Sequence, residues 1–505
     1  MAASCEVRIW GVCMYDLVIR EADIIDGKGG KRFKSSVGVV GGRITALSEE
    51  PLHGRVEEDG RGLVLAPGFI DVHSHDDFAL LQCPTLEWKA LQGVTTEIVG
   101  NCGIGAAPWP GAEAWYEKLN PGQAFPDYQD YSGYFRQIEE HGPSLNIGVL
   151  AGHGALREGG APNTSRVLGA RELTSVEAAL DEALDAGVLG MSAGLIYEPG
   201  IHSDLNELVT LSTRLRGVSP LFTVHLRSEA DDLLQAVDEA IAIAERAGVG
   251  LQLSHHKAHG RNNWGKVHDS LKKVDAARAR GMDVWLDQYP YTAGSTILQA
   301  IVDRGGLDSG PALGKLLPED IVIASSPGDT SLEGESLGAL ALRFNCSPQK
   351  AADEVLRIDP GAWVVVHAMA ETDVCTVMRH PATLFGSDGL PTQGGRPHPR
   401  LWGTFPRILG RYCREEKVLE LEEAIAKMTY RAAQRFGLRD RGLVAEGAWA
   451  DLVLFDPEKI AEGATYEEPT QAPRGIVSVW VNGDRIVHQG AHTGARPGRA
   501  LRREA

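Results

Sequence analysis

The chain has 505 residues, 43% of them hydrophobic and 23% charged, with a formal net charge of −18. That length suits a large buried core with a smaller companion module, and no apolar stretch is long enough to cross a bilayer. The acidic balance argues against nucleic acid or an anionic membrane as partner, because both require clustered Lys and Arg, so an anionic substrate would need a local positive pocket.

In chain order, the opening "MAASCEVRIWGVCMYDLVI" lacks the uninterrupted apolar run of a secretory signal. A cytoplasmic address is expected from that opening, and the seven cysteines, scattered and never arranged as CxxC, predict reduced thiols and no structural zinc knot. Residues 15–26 and 35–49, "YDLVIREADIID" and "SSVGVVGGRITALSE", read as short strands with no helical period between them. Near the other end, "GAWADLVLFD" (447–456) and "GIVSVWVNGDRIV" (475–487) read the same way, the latter with an Asn-Gly hairpin signal. The two ends, 1–66 and 440–505, are therefore expected to share one small β-sandwich.

Between them, residues 67–439 alternate short apolar strands with helical stretches such as "SVEAALDEALDAGVLG" (175–190) and "DLLQAVDEAIAIAERAGVG" (232–250). Each helical stretch closes on glycines suited to a helix C-cap, and the βα rhythm predicts a parallel sheet. The strands are "GFIDVHSH" (68–75), "GVTTEIVGNC" (93–102), "SLNIGVLAGH" (144–153) and "VLGMSAGLIY" (188–197). They continue with "LFTVHLRS" (221–228), "VGLQLSHHK" (249–257), "MDVWLDQYPY" (282–291) and "ATLFGSDG" (382–389). Eight is the number that a (β/α)8 barrel needs. The seventh and eighth are too far apart for a single crossover, which predicts an inserted segment at about 296–380. Its own apolar run, "AWVVVHAM" (362–369), fits either an extra strand or the true eighth one. Its glycine-rich stretches, "RGGLDSGPALG" and "SSPGDTSLEGES", suit either a mobile cover or a surface decoration.

Chemistry-bearing residues collect at the C-terminal ends of these strands: His73, His75, Cys102, His153, Tyr197, His225, His255, His256, Tyr289 and Asp388. A barrel brings those ends to one face, where active sites sit. His73 and His75 share a strand face through the period of two, so both imidazoles can address one ion. A lone histidine is normally a hydrogen-bonded structural residue; this many potential ligands at strand ends points to a metal. Cys102, between glycines, suits a thiolate ligand, with a buried small hydrophobe or a nucleophile as the other readings. Asp388, in "FGSDG", suits a turn residue or a carboxylate that takes a proton from an activated water.

Six segments in this order, "PGFIDVHSHDD", "GVTTEIVGNCG", "HLRSE", "LSHHK", "YPYTAGST" and "GSDGLP…HPRLWG", resemble the D-aminoacylases, or N-acyl-D-amino-acid deacylases, of the amidohydrolase superfamily. The likeness runs from about Asp16 to Val487. It implies a zinc ion held tightly by Cys102, His225 and His255, with His73, His75 and Asp388 forming a second, weaker metal position and Asp388 acting as catalytic acid and base. The carboxylated lysine that bridges two metals in many amidohydrolases has no counterpart in "VLGMSAGLIYEPG", which agrees with the cysteine-containing subgroup. The resemblance further implies that Tyr197, Lys257, Tyr289, Ser295 and Arg400 bind the substrate; Arg396 is a near neighbour of Arg400 with the poorer motif match. The expected reaction is zinc-dependent hydrolysis of a small-molecule N-acyl-D-amino acid to a carboxylate and a D-amino acid. A hydantoinase-like hydrolase of cyclic amides would share the metal face, and a non-catalytic scaffold would be expected to have lost ligands that this chain retains.

Overall fold

A computed structural model describes residues 8–9, 12–119, 124–303, 314, 316–391 and 394–503. The first seven residues, and all of the glycine-rich stretch 304–314 except Gly314, lie outside the described residues.

Eight short parallel strands carry the architecture. They are β1 (Phe69–Asp71), β2 (Val94–Val99), β3 (Asn146–Val149), β4 (Met191–Gly194), β5 (Leu221–His225), β6 (Gly250–Leu253), β7 (Val284–Gln288) and β8 (Thr383–Phe385). β1, β2 and β3 pair in sequence, as do β4 to β8. The two runs join where Ala151 and Gly152, just beyond β3, pair with Met191 and Ser192 of β4. The ring shuts between last and first: the Val72 N–H donates to the Phe385 carbonyl at 3.4 Å and the Asp388 N–H to that of His73 at 2.8 Å. Ile70, Ile98, Leu221 and Leu384, from β1, β2, β5 and β8, meet in one buried cluster, so the ring encloses packed side chains and leaves no pore. The chain is thus a closed (β/α)8 barrel.

Helices cover the ring because their sequences carry apolar residues at helical spacing. In α1 (Ala170–Ala186), Val176, Leu180, Ala183 and Leu184 are buried. In α2 (Leu233–Ala247) the buried stripe is Leu233, Ala236, Val237, Ala240, Ile241 and Ala244, and Gly248 ends the helix in the left-handed conformation.

Strands from both chain ends form one ten-stranded sheet. Val64–Pro67 pairs antiparallel with Leu452–Phe455, joining residues nearly four hundred apart, and Leu17, Ile19, Val37, Ile44, Leu452 and Trp480 pack one apolar core on it. The C-terminal Ala500–Leu501 then runs back to the barrel and pairs with Ile147 and Gly148 of β3.

The insertion between β7 and β8 is a subdomain with its own core. Gly294–Ile297, Ile321–Ser325 and Trp363–Val366 form a three-stranded antiparallel sheet, packed with Leu298, Leu337 and Val355. Trp363–Val366 is the middle strand of that sheet and pairs with no barrel strand, so it is the extra strand and Thr383–Phe385 the eighth. The expected range, 296–380, overlaps this subdomain. The subdomain begins at Gly294, and the end of the range forms α3 (Glu371–Arg379), whose Val374, Val377 and Met378 are buried against β7 and β8 as part of the barrel's outer layer. Among the described residues no helix is long and apolar enough to cross a membrane.

Candidate metal centre and substrate pocket

Past the end of β2 the chain crosses the mouth of the barrel through "GNCG". Gly103 has φ +74, and a Cβ there would stand 2.7 Å from the Gly194 amide nitrogen. Only glycine allows this crossing, which drops Cys102 over the strand ends. On the opposite side, a Cβ on Gly386 would lie 2.4 Å from that of His73, so glycine lets the β8 turn press against β1 and aim Asp388 inward. Cys102, His255 and Asp388 all hold left-handed backbone, with φ of 56°, 34° and 50°. Such strain in residues with side chains persists where surrounding structure enforces it, and it concentrates at functional sites.

These turns gather six side chains. Cys102 Sγ lies 3.3 Å from His73 Nε2 and 3.3 Å from His255 Nε2. His75 Nε2 is 3.1 Å from Asp388 Oδ1, and His73 Nε2 is 3.6 Å from the same oxygen. Three overlapping groups, Cys102 with His225 and His255, Cys102 with His73 and His75, and His73 with His255 and Asp388, each keep their ligand atoms within 4.8 Å of one another. All six residues are buried, and both ring nitrogens of His225 lack a hydrogen-bond partner. A buried imidazole with neither nitrogen satisfied is costly without an ion, and a thiolate with imidazoles and a carboxylate suits a borderline-soft divalent cation.

The electrostatics favour the ligating forms. Burial pushes the Cys102 thiol up, but the imidazoles of His73 and His255 outweigh it and hold the group well below its usual range. Burial likewise raises the Asp388 carboxyl, and Arg400 foremost, then His255, pulls it well below the ordinary carboxylate value.

Beyond the ligands, one pocket is lined by His75, Cys102, His225, His255 and Asp388 together with Tyr197, Lys257, Tyr289, Ser295 and Arg400. Tyr289 offers its ring face to two cations, the Arg400 guanidinium at 4.5 Å and the Lys257 ammonium at 5.6 Å. Arg400 is 1% exposed. It forms an ion pair with Asp388 at 2.8 Å, yet Nε, Nη1 and Nη2 make no aligned hydrogen bond, so its donors remain available to an anion in the pocket. Tyr197 packs edge-on to His225 with ring centroids 4.8 Å apart. Arg396 does not line this pocket; its backbone N–H donates to the Ala324 carbonyl at 2.6 Å.

Two of the strand-end histidines stand apart. His153 begins a helix and bonds Glu207 at 2.9 Å, and His256 turns to Ser270 at 2.7 Å. Conversely, three buried residues that sequence reasoning passed over support the site. Glu229 Oε1 accepts from Lys257 Nζ at 2.5 Å, and the two stand behind His255, at 2.9 Å and 2.8 Å from Nδ1, while Nε2 faces Cys102. Asp287 does the same for His73, at 3.1 Å from Nδ1. Lys89, fully buried, donates to Asp71 at 2.5 Å and to Ser387 at 2.6 Å, tying together the strand ends that carry His73 and Asp388.

A closed barrel with a thiolate, four imidazoles and a carboxylate converging at its C-terminal face defines a metal-dependent hydrolase class. The chain matches the amidohydrolase family over residues 57–487 and belongs to it. It is 42% identical to the N-acyl-D-glutamate deacylase of Alcaligenes xylosoxydans xylosoxydans, over 97% of each chain. It also superposes, with a TM-score of 0.87 and 38% identity over 97% of this chain and 100% of the other, on the N-acyl-D-glutamate deacylase of Bordetella bronchiseptica, solved with zinc and a phosphonate inhibitor. A D-aminoacylase with a binuclear metal centre, activated by one metal and attenuated by the second, matches with a TM-score of 0.88 and 35% identity over 97% and 100%. The L-hydantoinase of Arthrobacter aurescens shares the fold alone, at 15% identity and a TM-score of 0.59 over 97% and 100%.

Proposed function

We propose that this chain is a zinc-dependent hydrolase of small-molecule N-acyl-D-amino acids, releasing a carboxylate and the free D-amino acid. The observation that carries the reading is one pocket in which Cys102, His225 and His255 lie within ligand distance of each other beside a buried arginine with unaligned donors. Full-length similarity to deacylases of N-acyl-D-amino acids supports the D configuration and the linear amide. Cys102, His225 and His255 would hold the tight zinc, and His73, His75 and Asp388 a second, weaker position. When bound, zinc supplies Lewis acidity toward the acyl oxygen and lowers the pKa of water toward neutrality.

The chain's own residues do the rest. Asp388 takes a proton from the attacking water as its oxygen bonds to the acyl carbon, then delivers that proton to the amide nitrogen as the C–N bond breaks. Arg400, with Lys257, Tyr289, Ser295 and Tyr197, binds and orients the α-carboxylate, which gives an acidic protein the local positive site that its substrate needs. Asp287 fixes the tautomer of His73, and Glu229 with Lys257 backs the ring of His255. Catalysis is assigned to the barrel, 67–439, with the sheet of the two chain ends, 1–66 and 440–505, as its support. Reliance on the Cys102 thiolate fits a reducing, cytoplasmic setting.

The test is a hydrolysis screen of paired N-acetyl-D- and N-acetyl-L-amino acids with metal content measured on the same protein. Turnover confined to the D series, in proportion to bound zinc, is expected. Hydrolysis of the L series, or full turnover in metal-free protein, would overturn the proposal.

A further inference from the structure

The lining of the pocket is of two kinds. Beside the metal ligands it contains one lysine and one arginine among the described residues, Lys257 and Arg400. Lys257 pairs with Glu229 at 2.5 Å and Arg400 with Asp388 at 2.8 Å, so these two already answered cations serve the α-carboxylate that every N-acyl amino acid carries, and among the described residues of the lining no further lysine or arginine is left for a second carboxylate. Much of the remaining lining is apolar: Ile104, Trp115, Ile196, Ile297, Ala300 and Leu390 face the same space. Outward, the pocket continues past Trp115, Tyr197, Ile297 and Ala300 into a second hollow that has Glu198 and Asp303 on its wall and, among the described residues, no lysine or arginine. Asp303 accepts from Gln299 at 2.5 Å and Glu198 pairs with His202 at 2.9 Å.

From this division we propose that the enzyme selects D-amino acids with apolar side chains, such as leucine, methionine and phenylalanine, over glutamate and aspartate. The inference rests on the deacylase reading and goes beyond it by naming the substrate class. A second carboxylate on the substrate would be desolvated against Ile104, Ile196 and Ile297 with no further counter-cation among the described residues, and approach it past Glu198 and Asp303. Burial of an unpaired charge is strongly unfavourable, whereas an alkyl or aryl chain gains by leaving water. The overall identity of 42% to an N-acyl-D-glutamate deacylase does not decide this, because a handful of wall positions sets side-chain preference. Ala300 is the wall position shared by both hollows that is small enough to accept a cationic replacement.

The experiment measures kcat/KM of the zinc-loaded full chain on N-acetyl derivatives of D-leucine, D-methionine, D-phenylalanine, D-glutamate and D-aspartate. The apolar three should exceed the acidic two by about 100-fold, the scale on which a pocket discriminates by side-chain chemistry. Faster turnover of the acidic pair would overturn the specificity while leaving the deacylase reading intact. No turnover of any of the five would overturn both. Ala300→Arg should move the leucine-to-glutamate ratio toward glutamate by about 10-fold or more; an unchanged ratio would show that this wall does not meet the side chain.

Discussion

The two halves of the metal centre are built from similar residues and are finished differently. In the half made by Cys102, His225 and His255, the His225 nitrogens are buried with no hydrogen-bond partner. His255 is held by Glu229 from behind, with its Nε2 turned to the thiolate. In the half made by His73, His75 and Asp388, the charges already answer one another. Asp388 Oδ2 pairs with Arg400 at 2.8 Å, its Oδ1 with His75 at 3.1 Å, and His73 Nδ1 with Asp287. An ion entering the first half relieves unsatisfied ligands; one entering the second must compete with an arginine. The difference teaches that a pattern of ligand types does not fix affinity, which depends on what already occupies each lone pair.

The largest effect that would sharpen this contrast is expected from Cys102→Ala. It should strip the metal and abolish turnover together, whereas His73→Ala should leave most of the tight metal in place; elemental analysis beside initial rates reads both. Asp388→Asn comes next. It should retain zinc and lower kcat by about 10²–10⁴-fold, the usual contribution of a positioned acid and base, and a variant with near-normal kcat would break the assignment. Glu229→Gln should weaken metal affinity by about 10–100-fold, as loss of an outer partner of a ligand does, measured by competition with a chelator. The smallest effect is predicted for Arg400→Lys. It keeps the charge but loses the planar fork, and should raise KM by about 10-fold with metal content unchanged, one charge-assisted hydrogen bond being worth roughly 1.5–3 kcal/mol.

Much of this contrast was legible in the sequence because barrel topology turns strand ends into neighbours. Once "VHSH", "GNC", "VHLRS", "LSHH" and "GSDG" were recognised as strand ends, their convergence followed from the fold. Histidine identity alone misled at His153 and His256. Both stand at strand ends, yet each turns to a partner on a helix, Glu207 in one case and Ser270 in the other. The supporting acids were illegible for the converse reason. Glu229 reads as an ordinary loop carboxylate, and its partner Lys257 is 28 residues away, joined to it only by the adjacency of β5 and β6. Asp287 carried a signal that went unused, a charged residue between Leu286 and Gln288 in a strand buried on both sides, where a carboxylate needs a reason to be. The placement of α3 was not legible either: it follows the extra strand directly yet packs with the barrel, and apolar periodicity does not say against what a helix packs.

X-ray absorption at the zinc edge of the purified, zinc-loaded protein tests the central claim most directly. The account predicts one sulfur scatterer at about 2.3 Å with imidazole nitrogens at about 2.0–2.1 Å, the sulfur disappearing in Cys102→Ala. A shell of nitrogen and oxygen alone in the unaltered protein would contradict it.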